Sequence, residues 1–162
     1  MKKLLLCAAM IAFGLTANAQ EGKLNVGGTV GLPTGGASEA NVTGAVEVNY
    51  LLKATDKFMV GPSVSHLHFQ QEGADVAFIP LAAAFRYEVA DKLFVGADLG
   101  YGLGVRPSKS TVNGVYYRPV VGCQVSKKIM LHVDYSVIDI DERAMKSTLS
   151  TVGIGGTYSF SL

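Results

Sequence analysis

The sequence predicts an all-β chain in which eight antiparallel strands run up and down and close into a transmembrane barrel. Three observations predict it. Apolar residues recur with period two in eight segments. The segments run to about 9–14 residues, whereas a strand needs ~9–11 to cross a bilayer and globular strands are most often ~5–6. The connections between them alternate short and long.

The first segment sets Leu24, Val26, Gly28, Val30 and Leu32 against Lys23, Asn25, Gly27, Thr29 and Gly31. The second sets Val42, Gly44, Val46, Val48 and Tyr50 against Thr43, Ala45, Glu47 and Asn49. Phe58, Val60, Pro62 and Val64 open the third. The fourth has Ala77, Ile79, Leu81, Ala83, Phe85 and Tyr87 on one face, with Phe78, Ala82, Ala84, Arg86 and Glu88 on the other. In the fifth, Leu93, Val95, Ala97, Leu99, Tyr101 and Leu103 oppose Phe94, Gly96, Asp98, Gly100, Gly102 and Gly104. The sixth opposes Val115, Tyr117, Pro119, Val121, Cys123 and Val125 to Tyr116, Arg118, Gly122 and Gln124. The seventh opposes Ile129, Leu131, Val133, Tyr135 and Val137 to Met130, His132, Asp134 and Ser136. The eighth opposes Val152, Ile154, Tyr158, Phe160 and Leu162 to Thr151, Gly153, Gly155, Thr157 and Ser159. One face is apolar and aromatic throughout, and the other mixes Gly, Ser and Thr with a few charges. That apolar-out, polar-in dyad marks a barrel in lipid.

The connections after the second, fourth and sixth segments are tight: Lys53 to Lys57, Ala90 to Lys92, and Lys127-Lys128. Those after the first, third, fifth and seventh are longer: Pro33 to Ala40, Gln70 to Asp75, Arg106 to Asn113, and Ile138 to Ser147. Short turns at one end and loops at the other fit periplasmic and extracellular ends. Asp56-Lys57-Phe58-Met59-Val60-Gly61 recurs as Asp91-Lys92-Leu93-Phe94-Val95-Gly96, a basic turn followed by an apolar entry. Lysine at such an edge can snorkel toward headgroups. Tyr50, Tyr87, Tyr101, Tyr117, Tyr135, Tyr158, Phe69, Phe85 and Phe160 fall mostly near strand ends, as aromatic girdles require.

Ahead of the strands, Met1-Lys2-Lys3 is a positive n-region, Leu4 to Leu15 carries no charge, and Ala17-Asn18-Ala19 offers small residues for cleavage before Gln20. The apolar run is too short for a ~20-residue span, and Cys7 lacks the small preceding residue usual at a lipidated cysteine. Residues 1–19 therefore read as a cleaved secretory signal and 20–162 as one barrel domain. Without Lys2 and Lys3, the 14 basic residues fall to twelve against 13 acidic ones. That balance offers no basic footprint for nucleic acid. Cys123 alone remains after cleavage, so no internal disulfide is available.

The signal, the repeated turn-Lys-apolar-Val-Gly entry and the ending Gly155-Gly156-Thr157-Tyr158-Ser159-Phe160 resemble the small outer-membrane β-barrel domain family, which includes OmpA-, OmpX- and OmpW-like barrels. Ala19-Gln20 resembles cleavage sites common in Bacteroidota. The resemblance implies a monomer in outer-membrane lipid of the cell envelope, delivered by the outer-membrane assembly machinery. It also implies that Gly155, Tyr158 and Phe160 belong to the terminal signal that machinery reads. Ser161 and Leu162 depart from the family pattern, in which the last aromatic usually ends the chain.

Glu47, Arg86, Glu88, Asp98, Arg118 and Asp134 share the inward parity. A narrow eight-stranded lumen is filled by side chains, and buried charges must pair. We therefore expect a structural network in which Arg86 and Arg118 bridge the acidic residues. No catalytic residue, cofactor or metal site is expected. His132, Asp134 and Ser136 share a face but line a single strand, with no oxyanion donors evident. His66-x-His68 provides two possible ligands and no third nearby. A bulge or the membrane edge is expected near Ser65, after which Leu67 and Phe69 would take the outer face. The acidic Asp139 to Glu142 run is expected in a solvated loop. The functional expectation is a non-enzymatic barrel with a filled lumen, structural or acting through its loops. The alternatives are a narrow channel for small or hydrophobic solutes and a soluble periplasmic ligand-binding barrel.

Overall fold

The computed structural model describes residues 22–35, 41–70, 75–106, 112–142 and 145–161. The proposed signal and its cleavage site lie outside the described residues. Eight strands follow one another: β1 (Gly22–Gly35), β2 (Val42–Lys53), β3 (Phe58–Gln70), β4 (Val76–Ala90), β5 (Leu93–Arg106), β6 (Gly114–Gln124), β7 (Ile129–Glu142) and β8 (Met145–Ser161). Every neighbouring pair is antiparallel, and β8 returns to pair with β1. Closure leaves no strand edge unpaired, which any sheet in hydrocarbon requires.

The register fixes the barrel's width. Cα partners lead from Asn25 through Asn49, Ser63, Ala82, Gly100, Tyr116, Ile138 and Leu149, then rejoin β1 at Gly35, ten residues further along. Such a stagger tilts the strands by about 35–45°, and eight strands enclose a space that side chains just fill.

The outer face is apolar over most of its height. Val30, Leu32, Val46, Leu99, Val121, Val133, Val152 and Ile154 are all exposed, Ile154 to 67% and Leu32 to 68%. Burying so many large apolar side chains in lipid is the physical reason for the alternation. At the turn end Phe58 stacks near Phe85, and the Tyr158 and Phe160 rings meet edge to face at 4.8 Å. Lys128 Nζ lies 5.9 Å from the Tyr158 ring centre. Tyr101, Tyr117 and Tyr135 lie further toward the loop end, on β5, β6 and β7.

Three expectations change near the loop end. The β3 register is continuous on both sides between Phe58 and Phe69, with no bulge at Ser65. Leu67 and Phe69 therefore keep inward parity and are 3% and 2% exposed, so Phe69 is no girdle residue. They pack with Phe78, Tyr116, Ile138 and Ile140 in a dry cluster inside the barrel. His66 instead is exposed on the outer face. The acidic run is strand, since β7 continues to Glu142 and β8 begins at Met145. Thr148 Oγ1 donates to Asp139 Oδ1 at 3.0 Å across that hairpin, and Asp141 lies 3.9 Å from Lys146.

These changes have one cause. Toward the loop end the polarity of the two faces inverts: His66, His68 and Asp139 point out while Leu67, Phe69, Ile138 and Ile140 point in. A strand that has left hydrocarbon for water buries its apolar side inward, as any water-soluble barrel does.

Candidate functional site

The lumen is layered. Its centre is ionic. Asp98 and Arg118 are direct partners across β5 and β6. Arg118 Nε donates to Asp98 Oδ2 at 2.8 Å, and Arg86 Nη1, reaching from β4, donates to Asp98 Oδ1 at 2.6 Å. Arg118 Nη2 also donates to Glu47 on β2, across the lumen, and its Nη1 stands 3.7 Å from Asp134 Oδ2 on β7. One guanidinium thus links carboxylates on three other strands. All five side chains are buried, Asp98 to 1% exposure. In a low-dielectric interior such charges persist only when paired and hydrogen-bonded.

Glu88 stands apart. It is half-buried at the turn end and lines the mouth of the barrel rather than the network. Arg86 spends its remaining reach on the Phe85 carbonyl, 2.9 Å away. Gly96 beneath it allows this bend: a Cβ there would overlap the Phe85 oxygen and lie 2.7 Å from Arg86 Cδ.

A polar layer surrounds the charges. His132 Nε2 lies 3.2 Å from Thr29 Oγ1 and 3.5 Å from Asp134 Oδ2. Ser136 Oγ donates to Asp134 Oδ1 at 3.4 Å, and Thr43 and Thr151 share a hydrogen bond of 2.6 Å. Asn25 Nδ2 donates to Asn49 Oδ1 at 2.8 Å. The same inward parity that marks the charges marks these residues, but uncharged residues and a single histidine stand out less from the strand pattern.

The order His132–Asp134–Ser136 lacks what nucleophilic catalysis needs. Ser136 meets the carboxylate, not the imidazole, and one ring nitrogen faces both Thr29 and Asp134, whereas an activating histidine uses one nitrogen for the nucleophile and the other for its carboxylate. On the outer face, His68 Nε2 lies 3.6 Å from Asp75 Oδ2, and the His66 and His68 rings stack at 6.3 Å. Among the described residues no group of three or more His, Cys, Asp or Glu side chains is placed to hold a metal ion. Gly155, inward on β8, lies beside Gly28 and His132, while Tyr158 and Phe160 point outward near the turn end.

A closed eight-stranded barrel with an apolar exterior and a polar, filled lumen is the architecture of small outer-membrane barrels. No protein-family model matches this sequence, and a sequence comparison with curated proteins returns no match. Solved structures do share the fold. Ail, the attachment invasion locus protein of Yersinia pestis, superposes with a TM-score of 0.62 at 12% identity, over 87% of this chain and 99% of that one. Neisserial surface protein A gives 0.56 at 12% identity, over 86% and 97%. A de novo designed transmembrane β-barrel gives 0.53 at 17% identity, over 88% and 98%. Likeness to a designed barrel as well as to natural ones shows a shared architecture, not a shared activity.

Proposed function

We propose that this protein resides in the outer membrane as a monomeric, non-enzymatic barrel with a sealed lumen, serving the envelope structurally or through its outer loops. The observation that carries this reading is the filling of the lumen. Two cavities in its polar section measure only about 10 Å³ each, room for about a water molecule. The dry cluster around Phe78 and Ile138 stands beyond them toward the loop end. A hydrated ion would have to displace both the ionic layer and the apolar one.

The exposed apolar belt weighs against a soluble periplasmic barrel, and complete edge pairing removes the usual route to strand-mediated oligomers. Fractionation tests the address: sedimentation with outer membrane and a heat-modifiable band are expected, and recovery from periplasm without detergent would refute it. Planar-bilayer recording tests the seal. No steady unitary openings are expected; stable openings would favour the narrow-channel alternative.

A further inference from the structure

The charges inside the lumen do not balance by themselves. Among the described residues the buried charged side chains are Glu47, Asp98 and Asp134 against Arg86 and Arg118, and His132 is the buried imidazole beside them. Three carboxylates thus face two guanidiniums. A net negative charge held away from water is costly unless a further cation meets it.

The deficit falls on one carboxylate. Asp98 takes Arg86 at 2.6 Å and Arg118 at 2.8 Å, and Glu47 takes Arg118 across the lumen. Asp134 is held more loosely. Thr29 Oγ1 and Ser136 Oγ stand at 3.4 Å, His132 Nε2 at 3.5 Å and Arg118 Nη1 at 3.7 Å. Asp134 is 3% exposed, so water compensates little of this. The strands around the imidazole present Thr29 on β1, Glu47 on β2, Arg86 on β4, Asp98 on β5, and Arg118 with the Tyr116 phenol on β6. From β3 and β8 come the hydroxyls of Ser65, Thr151 and Thr157, without charge. Lys23 and Glu88 border the open turn-end cavity instead. His132 is therefore the group placed to supply the third cation.

We propose that the His132–Asp134 pair is a proton-binding site, in which His132 is an imidazolium whose Nε2–H is shared between Asp134 and Thr29, bringing the layer to three charges of each sign. The proton enters from the turn side. His132 lines a cavity of about 10 Å³ that shares Asn25, Leu51, Arg86, Phe94 and Met130 with the turn-end cavity of about 180 Å³. The imidazole thus lies one layer of side chains below an opening to water, while the dry cluster closes the other end. In the unfolded chain His132 titrates as a free imidazole, near pH ~6.5. Above that pH the folded barrel holds one proton more than the unfolded chain, and stability falls with rising pH wherever the folded state binds more protons. The ionic layer is complete in acidic and neutral media and one charge short in alkaline ones, which ties the cohesion of the lumen to the pH on the turn side.

Nitrogen-15 spectroscopy of the histidine rings tests this in the barrel folded into nanodiscs. A His66→Asn/His68→Asn background removes the two outer-face signals and leaves the lumen unchanged. At about pH 7.5, where a free imidazole is about nine-tenths neutral, both ring nitrogens of His132 are expected to carry protons. Asp134→Asn leaves the other charges at two against two, and there the ring is expected to be neutral at the same pH. Between about pH 7 and 8 the unfolding constant in urea should rise up to about tenfold more steeply in the parent than in the Asp134→Asn barrel. The ring spectrum of the parent involves no change in the lumen, so it decides the proposal even where Asp134→Asn does not assemble. A neutral His132 in the parent at about pH 7.5, an imidazolium that survives Asp134→Asn, or equal pH slopes in the two barrels would each overturn it. So would a parent unfolding constant that responds to exchange of sodium for a bulky organic cation at fixed ionic strength, since a metal ion at Asp134 would then be the third cation.

Discussion

Arg118 and Glu47 meet across the barrel lumen, from β6 and β2, although 71 positions separate them in the chain. No backbone ladder joins those two strands. Their contact, with the Asp98 bond at 2.8 Å, ties opposite walls together. Arg118→Met removes the shared cation and leaves Glu47, Asp98 and Asp134 facing one another with Arg86 alone. Breaking a buried pair on one side costs about 3–5 kcal/mol. The urea midpoint of the folded barrel should fall accordingly, and adding Glu47→Gln, which neutralises the carboxylate left without a cation while Arg86 keeps Asp98, should recover part of the loss. An unchanged midpoint in the single variant would mean that the network contributes nothing to stability.

Lipid depth gives a second outcome. Ile154 is the most exposed of the large apolar residues of β8, and Val95 lies two residues inside the turn-end boundary of β5. A lysine on the lipid face costs about 2–4 kcal/mol at the midplane and about 0–1 near the interface. Ile154→Lys should therefore impair folding into vesicles far more than Val95→Lys, measured by the yield of the heat-modifiable band. Equal effects would contradict the placement of the apolar belt.

The loop end gives a sharper contrast, because the sequence there points the wrong way. Strand count, turn order and the parity of Glu47, Arg86, Asp98, Arg118 and Asp134 were legible, since alternation with period two carries them directly. The dry cluster was not. A rule that places apolar residues in lipid expects Leu67 and Phe69 outside; nothing in local sequence marks where hydrocarbon ends and the rule reverses. Long-range pairing decides it, as Phe69 and Phe78 meet edge to face at 6.4 Å inside the barrel. Leu67→Ala should cost about 2–5 kcal/mol, the range for a buried leucine. His66→Ala, one residue away on the outer face, should stay within about 0.5 kcal/mol. Comparable denaturation midpoints for the two would place Leu67 outside after all.

Gly155 makes a different demand. A Cβ there would stand 2.6 Å from the Gly28 carbonyl oxygen and 2.6 Å from His132 Nε2. The imidazole can turn aside; the β1 backbone cannot without shifting its ladder with β8. Gly155→Ala should destabilise the barrel by about 1–3 kcal/mol, the usual range for overpacking. Combining it with His132→Ala should not restore the midpoint, because the Gly28 backbone contact and the Thr29 Oγ1 contact at 2.5 Å both remain. Full rescue would show that only the imidazole had been in the way.

Phe160 separates stability from assembly. It is 46% exposed on the outer face and touches Tyr158 edge to face, so its removal leaves the lumen intact. An aromatic pair of this kind adds about 0.5–1.5 kcal/mol beyond its area, a modest share of a barrel's cohesion. If Phe160 is also read as part of a terminal assembly signal, its loss should matter far more in the cell than in the test tube. Phe160→Ala is then expected to refold into detergent or vesicles with nearly the original yield, while outer-membrane levels in vivo fall several-fold and unfolded chain accumulates in the periplasm. Leu24, its direct partner on β1, provides the control, since Leu24→Ala trims the same apolar belt without touching the terminal aromatic. Parallel losses for both variants, in cells and in vitro, would reduce Phe160 to an ordinary member of the girdle.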